Sequence, residues 1–443
     1  MTHEPVPEPT LVRAIGPWAL GANAVNLTVG AGIFALPAAV AAILGPSAIL
    51  AYLLCGALIV LVLACFAEVG SQVTRSGGAV AYLDEAFGPF AGFLATMVFT
   101  VGFCAGSSAA IAHVMLDAIA VVVPALSSGP VRAAALVALF GGLAAVNIRG
   151  VRLATRFSVA TTVAKLGPLL LLLVLGVFAI RTSNLAWARW PSGSELGSGA
   201  LLLFFAFAGA EGALTPSGEI RDPARTVPRG MLGAALAIVA LFVALQLTAQ
   251  GVLGADLARG GDAPLAAVGE RVGGAVVRNL IVACTALAVF GALAADMLGA
   301  PRGLIVAAEG GMLPSILTRV HPRFRTPWVA IAAYAGLSLA LAATGGFRAL
   351  AILSSMALLL VYLGVCLAAL KFRYTRPRPA GAFRAPGGPT VALLGSAAVI
   401  WVLSHSTRHE VLAFCAVTVF ASIWYLIRRA TAAPVLPAPA DVP

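Results

Sequence analysis

The sequence predicts an all-α, polytopic membrane protein with about twelve transmembrane helices, and three observations lead there. Of its 443 residues, 60% are hydrophobic and 10% charged, against roughly 25% charged in a typical soluble protein. Its 28 Lys and Arg, which against 17 Asp and Glu give a net charge of +11, sit in short clusters between long uncharged stretches. Those stretches match the roughly 20 apolar residues that one helix needs to cross hydrocarbon. No water-soluble fold can hide so much apolar surface, which excludes a soluble enzyme and a nucleic-acid partner.

Taken in order, residues 1–13 read as a cytoplasmic tail. THEPVPEPT lacks the basic start of a signal peptide, so an uncleaved first span is expected. No charge falls between Arg13 and Glu68, room for two spans that turn at Gly45-Pro46. Further spans are expected between Glu85 and Asp117, Arg132 and Arg149, and Arg156 and Arg181, the last interrupted only by Lys165. The sixth lies around 199–220 and carries Glu211. Six more run between Arg229 and Asp256, Arg278 and Asp296, Arg325 and Arg348, Arg348 and Lys371, Arg384 and Arg408, and Glu410 and Arg428. An inner loop over 371–389 precedes spans 11 and 12 at 390–428, and 429–443, rich in Pro and Ala, reads as a disordered tail.

Inner loops keep an excess of Lys and Arg. With the N-terminus inside, 19 of the 28 fall on the inner side and 8 on the outer, Lys165 lying in the membrane. Both termini are therefore expected in the cytoplasm, and the protein in the inner (cytoplasmic) membrane in contact with lipid. The six cysteines all fall in spans, where they behave as small apolar residues; neither a disulfide framework, a metal site nor a cofactor is implied.

Irregularities inside the spans carry the functional signal. Val29-Gly30-Ala31-Gly32-Ile33-Phe34 puts two glycines at mid-membrane in the first span, and Phe205-Ala206-Phe207-Ala208-Gly209-Ala210-Glu211-Gly212 repeats the device in the sixth. Paired breaks in corresponding spans point to a transporter site built from discontinuous helices. Small residues that merely let helices pack closely are the competing reading.

Gly30-Ala31-Gly32-Ile33-Phe34 with Pro37 resembles the first-span signature of the amino acid–polyamine–organocation (APC) superfamily of secondary transporters. Glu68, Arg75-Ser76-Gly77-Gly78-Ala79, Tyr82 and Phe87-Gly88-Pro89 are similar to its second span and following loop. Phe207-Ala208-Gly209-Ala210-Glu211, Glu219-Ile220-Arg221-Asp222-Pro223 and Val227-Pro228-Arg229 match its sixth span and the loop after it. Arg302, Gly311-Met312-Leu313-Pro314, Pro322-Arg323-Phe324 and Thr326-Pro327 resemble the end of the eighth span and the entry to the ninth. Pro301 and Ala308-Glu309-Gly310 depart from the usual pattern, which bears on an inner helix end.

The resemblance implies the leucine-transporter fold. Spans 1–5 (14–180) and 6–10 (197–370) would form two inverted repeats, with helices 1 and 6 broken. An amino acid carries a carboxylate and an ammonium on one carbon, and a broken helix complements both. N–H groups of Gly30, Ala31 and Gly32 at the start of the outer half-helix suit the carboxylate. Carbonyls of Val25, Asn26, Phe205 and Ala208 suit the ammonium. Phe99, Phe103 and Ser107 in span 3 would face the variable group, and Phe205 is a candidate gate.

Ionisable groups within a membrane are costly and therefore functional candidates. Glu211 lies at the break and could hold a cation or exchange a proton. Glu68 and Asp117 sit toward helix ends, where reaching into water would explain them. Asp296 is expected to pair with Arg302 or another helix. Lys165, eight residues after Phe157, lies about 12 Å along span 5. In sodium-coupled relatives that depth faces a cation held by first-span carbonyls and eighth-span hydroxyls, but here the eighth span offers only Thr285, too far outward. A lysine ammonium can supply that charge, tie span 5 to carbonyls below the first break, and exchange its proton.

The expected function is alternating-access transport of amino acids, coupled to protons or run as exchange. Alternatives are an amino acid/amine antiporter or an exporter, and from another class a channel or a membrane-embedded enzyme. The half-helices enclose one central site and no continuous polar pore, and His113 stands alone in span 3 while His405 and His409 flank an outer turn.

Overall fold

The computed structural model describes residues 14–73, 77–150, 154–215, 217–259, 263–377 and 382–431, and of 154–164 and 431 the backbone alone. The tail expected over 1–13 lies outside the described residues, as do 432–443 of the tail expected over 429–443, Arg75 and Ser76 of the loop motif, Arg152 and Arg378, whereas 429–431 continue the last helix. Among the described residues the regular elements are helical, and the one β-bridge pairs Ile15 with Ile220. Eight helical runs are long and apolar enough to cross a membrane, and 165–177, 328–344 and 389–403 are shorter apolar helices.

α1 (Pro17–Thr28) and α2 (Gly32–Leu44) are the halves of the first expected span, parted at Val29, Gly30 and Ala31. A 3-10 turn over Gly45–Ser47 leads to α3 (Ala48–Gly70). Pro46 suits a helical first turn, where its missing N–H removes no hydrogen bond. After α4 (Gly78–Phe87), the third span comprises α5 (Pro89–Met97), a π-helical segment over Val98–Ala105 and α6 (Gly106–Ala120). Nothing in the apolar pattern foretells the π segment, because a wider hydrogen-bond step leaves the apolar run unbroken.

α7 (Gly129–Ile148) and α8 (Ala154–Val177) follow. α9 (Gly193–Phe207) starts four residues ahead of the expected 197, because Ser192 and Glu195 form a reciprocal capping box. It ends at the expected break, followed by a 3-10 turn over Ala210–Leu214. Next come α10 (Pro223–Leu253) and α11 (Asp256–Arg259). α12 (Pro264–Gly299) begins well before the expected Arg278 and bends at Gly273 and Gly274, where φ is −146° and 65°. Glu270 and Arg271 are exposed on its first part, so charges that read as loop are carried on helix. α13 (Pro301–Glu309), α14 (Trp328–Thr344), α15 (Phe347–Thr375), α16 (Pro389–Leu403) and α17 (Arg408–Thr431) complete the chain.

α10 packs on α3 and α1, and α9 on α2 and α3. α12 packs on α8 and α6, and α14 on α7 and α6. α15 touches α3, α6, α9, α16 and the π segment, and so reaches both groups. Lipid tails are as apolar as leucine, so close approach of small residues holds such helices together. Gly21, for example, meets the backbone of Gly230.

Candidate functional site

The two helix breaks lie against each other. Gly209, with φ 118°, ends the α9 segment in a conformation that residues with side chains rarely adopt. A Cβ there would stand 2.7 Å from the Leu27 carbonyl oxygen, and one on Gly32 would stand 2.7 Å from Cα of Ala206. Two missing side chains thus set the separation of the half-helices. Ile15 donates to the Glu219 carbonyl and accepts from the N–H of Arg221, both at 3.0 Å, which ties the start of α1 to the segment after the second break.

The first N–H groups of α2, Gly32's among them, have no intrahelical acceptor, as in any helix. Gly30 departs from expectation, because its N–H donates to the Thr28 carbonyl at 2.7 Å. Both carbonyls expected to receive an ammonium at the first break are also engaged. Val25 accepts from the N–H of Val29 at 2.8 Å, and Asn26 accepts from Lys165 Nζ. At the second break α9 ends at Phe207, so its last carbonyls, that of Phe205 included, lack intrahelical donors. Ala208 is extended there (φ −71°, ψ 148°).

Glu211 is 3% exposed and folds back onto its own break. Its Oε2 accepts from the N–H of Gly209 at 3.0 Å and from the Tyr362 hydroxyl at 2.5 Å. Sequence reasoning missed Tyr362, which reads as one more aromatic in an apolar span. The rings of Phe66 and Phe204 hold it edge-on at 5.3 and 5.6 Å. Lys165 is also buried, its ammonium meeting the Asn26 carbonyl near the end of α1. The Cys284 thiol of α12 donates to the Lys165 carbonyl at 3.5 Å. Thr285, the hydroxyl weighed for a cation, donates to Ile281 of its own helix at 2.8 Å.

On the third span Phe99, Phe103 and Ser107 are half-buried, as are Val101 and Gly102 between them. The two rings lie 5.4 Å apart, and Ser107 Oγ donates to the Cys104 carbonyl at 3.0 Å. Phe205 is buried and meets Phe347 edge-on at 5.9 Å.

The remaining ionisable groups take partners that their sequence neighbourhoods do not suggest. Asp296 does not pair with Arg302; its Oδ2 accepts from Ser108 at 2.6 Å and from the Tyr334 hydroxyl. Glu68 does not reach water. It is 1% exposed, forms a two-pronged ion pair with Arg373, and accepts from the N–H of Ala385 at 3.0 Å. Asp117 pairs with Arg132 at 2.5 Å. The same guanidinium lies 2.8 Å from Nδ1 of His113, whose Nε2 meets the Ala342 carbonyl at 3.0 Å. Five cysteines are buried and Cys415 is exposed.

Comparison with known proteins accords with this arrangement. The sequence profile of a family described as amino acid permease matches residues 15–436. The chain is 28% identical to the serine/threonine exchanger SteT of Bacillus subtilis, over 84% of this chain and 86% of that one. It is 24% identical to the methylthioribose transporter of the same organism, over 89% and 88%. To the branched-chain amino acid permease BcaP of Lactococcus lactis it is 26% identical, over 91% and 90%.

Proposed function

The chain belongs to the amino acid permease family of the APC superfamily, a family of transporters and not of enzymes, and from that premise we propose that it moves amino acids across the cytoplasmic membrane by alternating access. In this reading twelve spans cross the membrane, with α1 to α8 (14–180) and α9 to α15 (197–370) as inverted repeats, and both termini lie inside. The single observation that carries it is the adjoining pair of breaks, with Gly32 against Ala206 and Gly209 against Leu27. An amino acid's carboxylate would sit on the N–H groups of Ala31 and Gly32, and its ammonium on the carbonyls of Phe205, in the last turn of α9, and Ala208, just after it.

Transport is coupled to protons in this reading, with Lys165 as the carrier. Its ammonium joins α8 to the Asn26 carbonyl at the end of α1. α1 otherwise packs on α10 and the 3-10 turn, with one face open at Trp18, Ala22, Asn23 and Leu27. Loss of the lysine's proton would release that link and free the inner half of the first span, so proton release and inward opening become one event. Lys165→Ala should therefore keep part of its substrate binding and lose the response of uptake to an imposed inward proton gradient in proteoliposomes. Uptake that still rises with the gradient as in the parent would transfer the role to Glu211. Exchange, the mode named for SteT, would show, if it runs without protons here, as counterflow indifferent to the gradient in the parent itself.

A further inference from the structure

We infer that the segment joining α13 to α14, together with the end of α7, binds the phosphate headgroup of an anionic phospholipid. The ligand is a membrane component and not the substrate of the proposed transport. Arg319, Arg323 and Arg325 lie in that segment, and a fourth arginine, Arg149, comes from a distant part of the chain, just after α7. Packing brings the two parts together. Thr326 Oγ1 donates to the Ile148 carbonyl at 2.6 Å, and a Cβ on Gly150 would stand 3.5 Å from Cγ2 of Thr326 and 3.7 Å from the Phe324 carbonyl oxygen. All four arginines are exposed, and among the described residues none of them has a carboxylate within ion-pair distance.

Basic residues are common in the loops of membrane proteins; this cluster differs in being shaped in advance and in what surrounds it. Arg325 has φ 58°, a left-handed conformation that residues with side chains seldom take. Two backbone bonds hold it there: the N–H of Arg325 donates to the His321 carbonyl at 2.9 Å, and that of His321 to the Thr326 carbonyl at 2.7 Å. Nδ1 of His321 accepts from the N–H of Arg323 at 3.2 Å, and the Arg323 guanidinium lies 5.6 Å from the centre of the Phe324 ring. A turn fixed in this way loses little freedom when a phosphate binds. The same segment exposes Ile316, Val320 and Trp328, by 48%, 54% and 39%. Guanidinium groups suit the phosphate, and the apolar side chains between them suit the lipid around it. A soluble phosphate compound would use the arginines and leave those three in water. Just beyond the loop, Gly141 and Gly142 of α7 and Gly336 of α14 are exposed, and a Cβ on any of them would meet nothing within 4 Å. These smooth helix sides leave room for an acyl chain.

The test uses the full chain in mixed micelles of detergent and phosphatidylcholine, in which phosphatidylglycerol replaces a rising share of the phosphatidylcholine. For each variant the rise in the thermal unfolding midpoint is read against its own value in phosphatidylcholine, so a less stable variant still reports. In the parent, phosphatidylglycerol should raise the midpoint, whereas the same concentration of glycerophosphate should not. Arg325→Gly removes one cation and places at the left-handed position the residue that suits it; half of the rise should then need about fivefold more phosphatidylglycerol. Arg323→Gln/Arg325→Gly should need at least about tenfold more. Arg408→Gln, which removes one charge at the start of α17, should respond as the parent does. A parent indifferent to phosphatidylglycerol, or an unchanged response in Arg325→Gly and the double variant, would overturn the inference. Arg408→Gln that shifts as far as Arg325→Gly would also overturn it, by reducing the effect to overall charge. Glycerophosphate that stabilises as well as phosphatidylglycerol would overturn the lipid as ligand and put a soluble phosphate compound in its place.

Discussion

Gly30 and Gly32 look alike in the sequence, two glycines of one signature, yet they meet different surroundings. A Cβ on Gly32 would press on backbone, Cα of Ala206 at 2.7 Å, which cannot rotate away. A Cβ on Gly30 would find its nearest atom, the Thr28 oxygen, at 3.8 Å. Gly32→Ala should therefore push the half-helices apart, at an overpacking cost of about 1–3 kcal/mol, and abolish both uptake and substrate-induced stabilisation. Gly30→Ala should keep both. Uptake by Gly32→Ala at the parent's rate would show that the close crossing does not form the site. That the two breaks exist is readable from glycine pairs in apolar runs; that only one of the glycines is sterically required is not, because the requirement comes from a helix more than 170 residues away.

Between elements, the C-terminal ends of α3 and α15 are joined by Glu68 and Arg373, whose side chains are 2% and 7% exposed. The loop after α15 closes over them, with Ala385 donating to Glu68 and accepting from Arg373 at 3.3 Å, and Phe383 donating to Ser71 at 3.2 Å. A buried pair of this kind adds little by itself, but breaking it leaves one charge uncompensated, at a cost of about 3–5 kcal/mol. Arg373→Ala should lower the thermal midpoint in detergent strongly, and the double variant Glu68→Gln/Arg373→Gln should recover part of the loss. A double variant less stable than Arg373→Ala would contradict the pairing as the source of the effect. The same α15 carries Tyr362 to Glu211, so the seam that fixes its C-terminal end also fixes the geometry at the second break.

For the whole molecule, the inside-out excess of basic residues makes a topology that labelling can check. In a Cys415→Ala background, which removes the exposed native thiol, Gly193→Cys at the start of α9 should react with an impermeant reagent from outside. Ala224→Cys at the start of α10 should react only after permeabilisation. The reverse pattern would invert the orientation, and labelling of both sites from one side would remove a crossing between them.

Composition, the spacing of charges and the position of glycines are local properties, so the sequence by itself determined the helical membrane class, the turn at Gly45, the breaks near Gly30 and Gly209, and the candidates Lys165 and Glu211. Helix starts were less legible, because exposed charges such as Glu270 and Arg271 sit as comfortably on a helix as in a loop. Only the tertiary structure decided what each buried charge touches. Glu211 meets Tyr362 across 151 residues, Lys165 meets Asn26 across 139, and Glu68 meets Arg373 across 305. No periodicity records such pairings: a charge buried away from water must find a partner, but any helix that packs beside it can provide one.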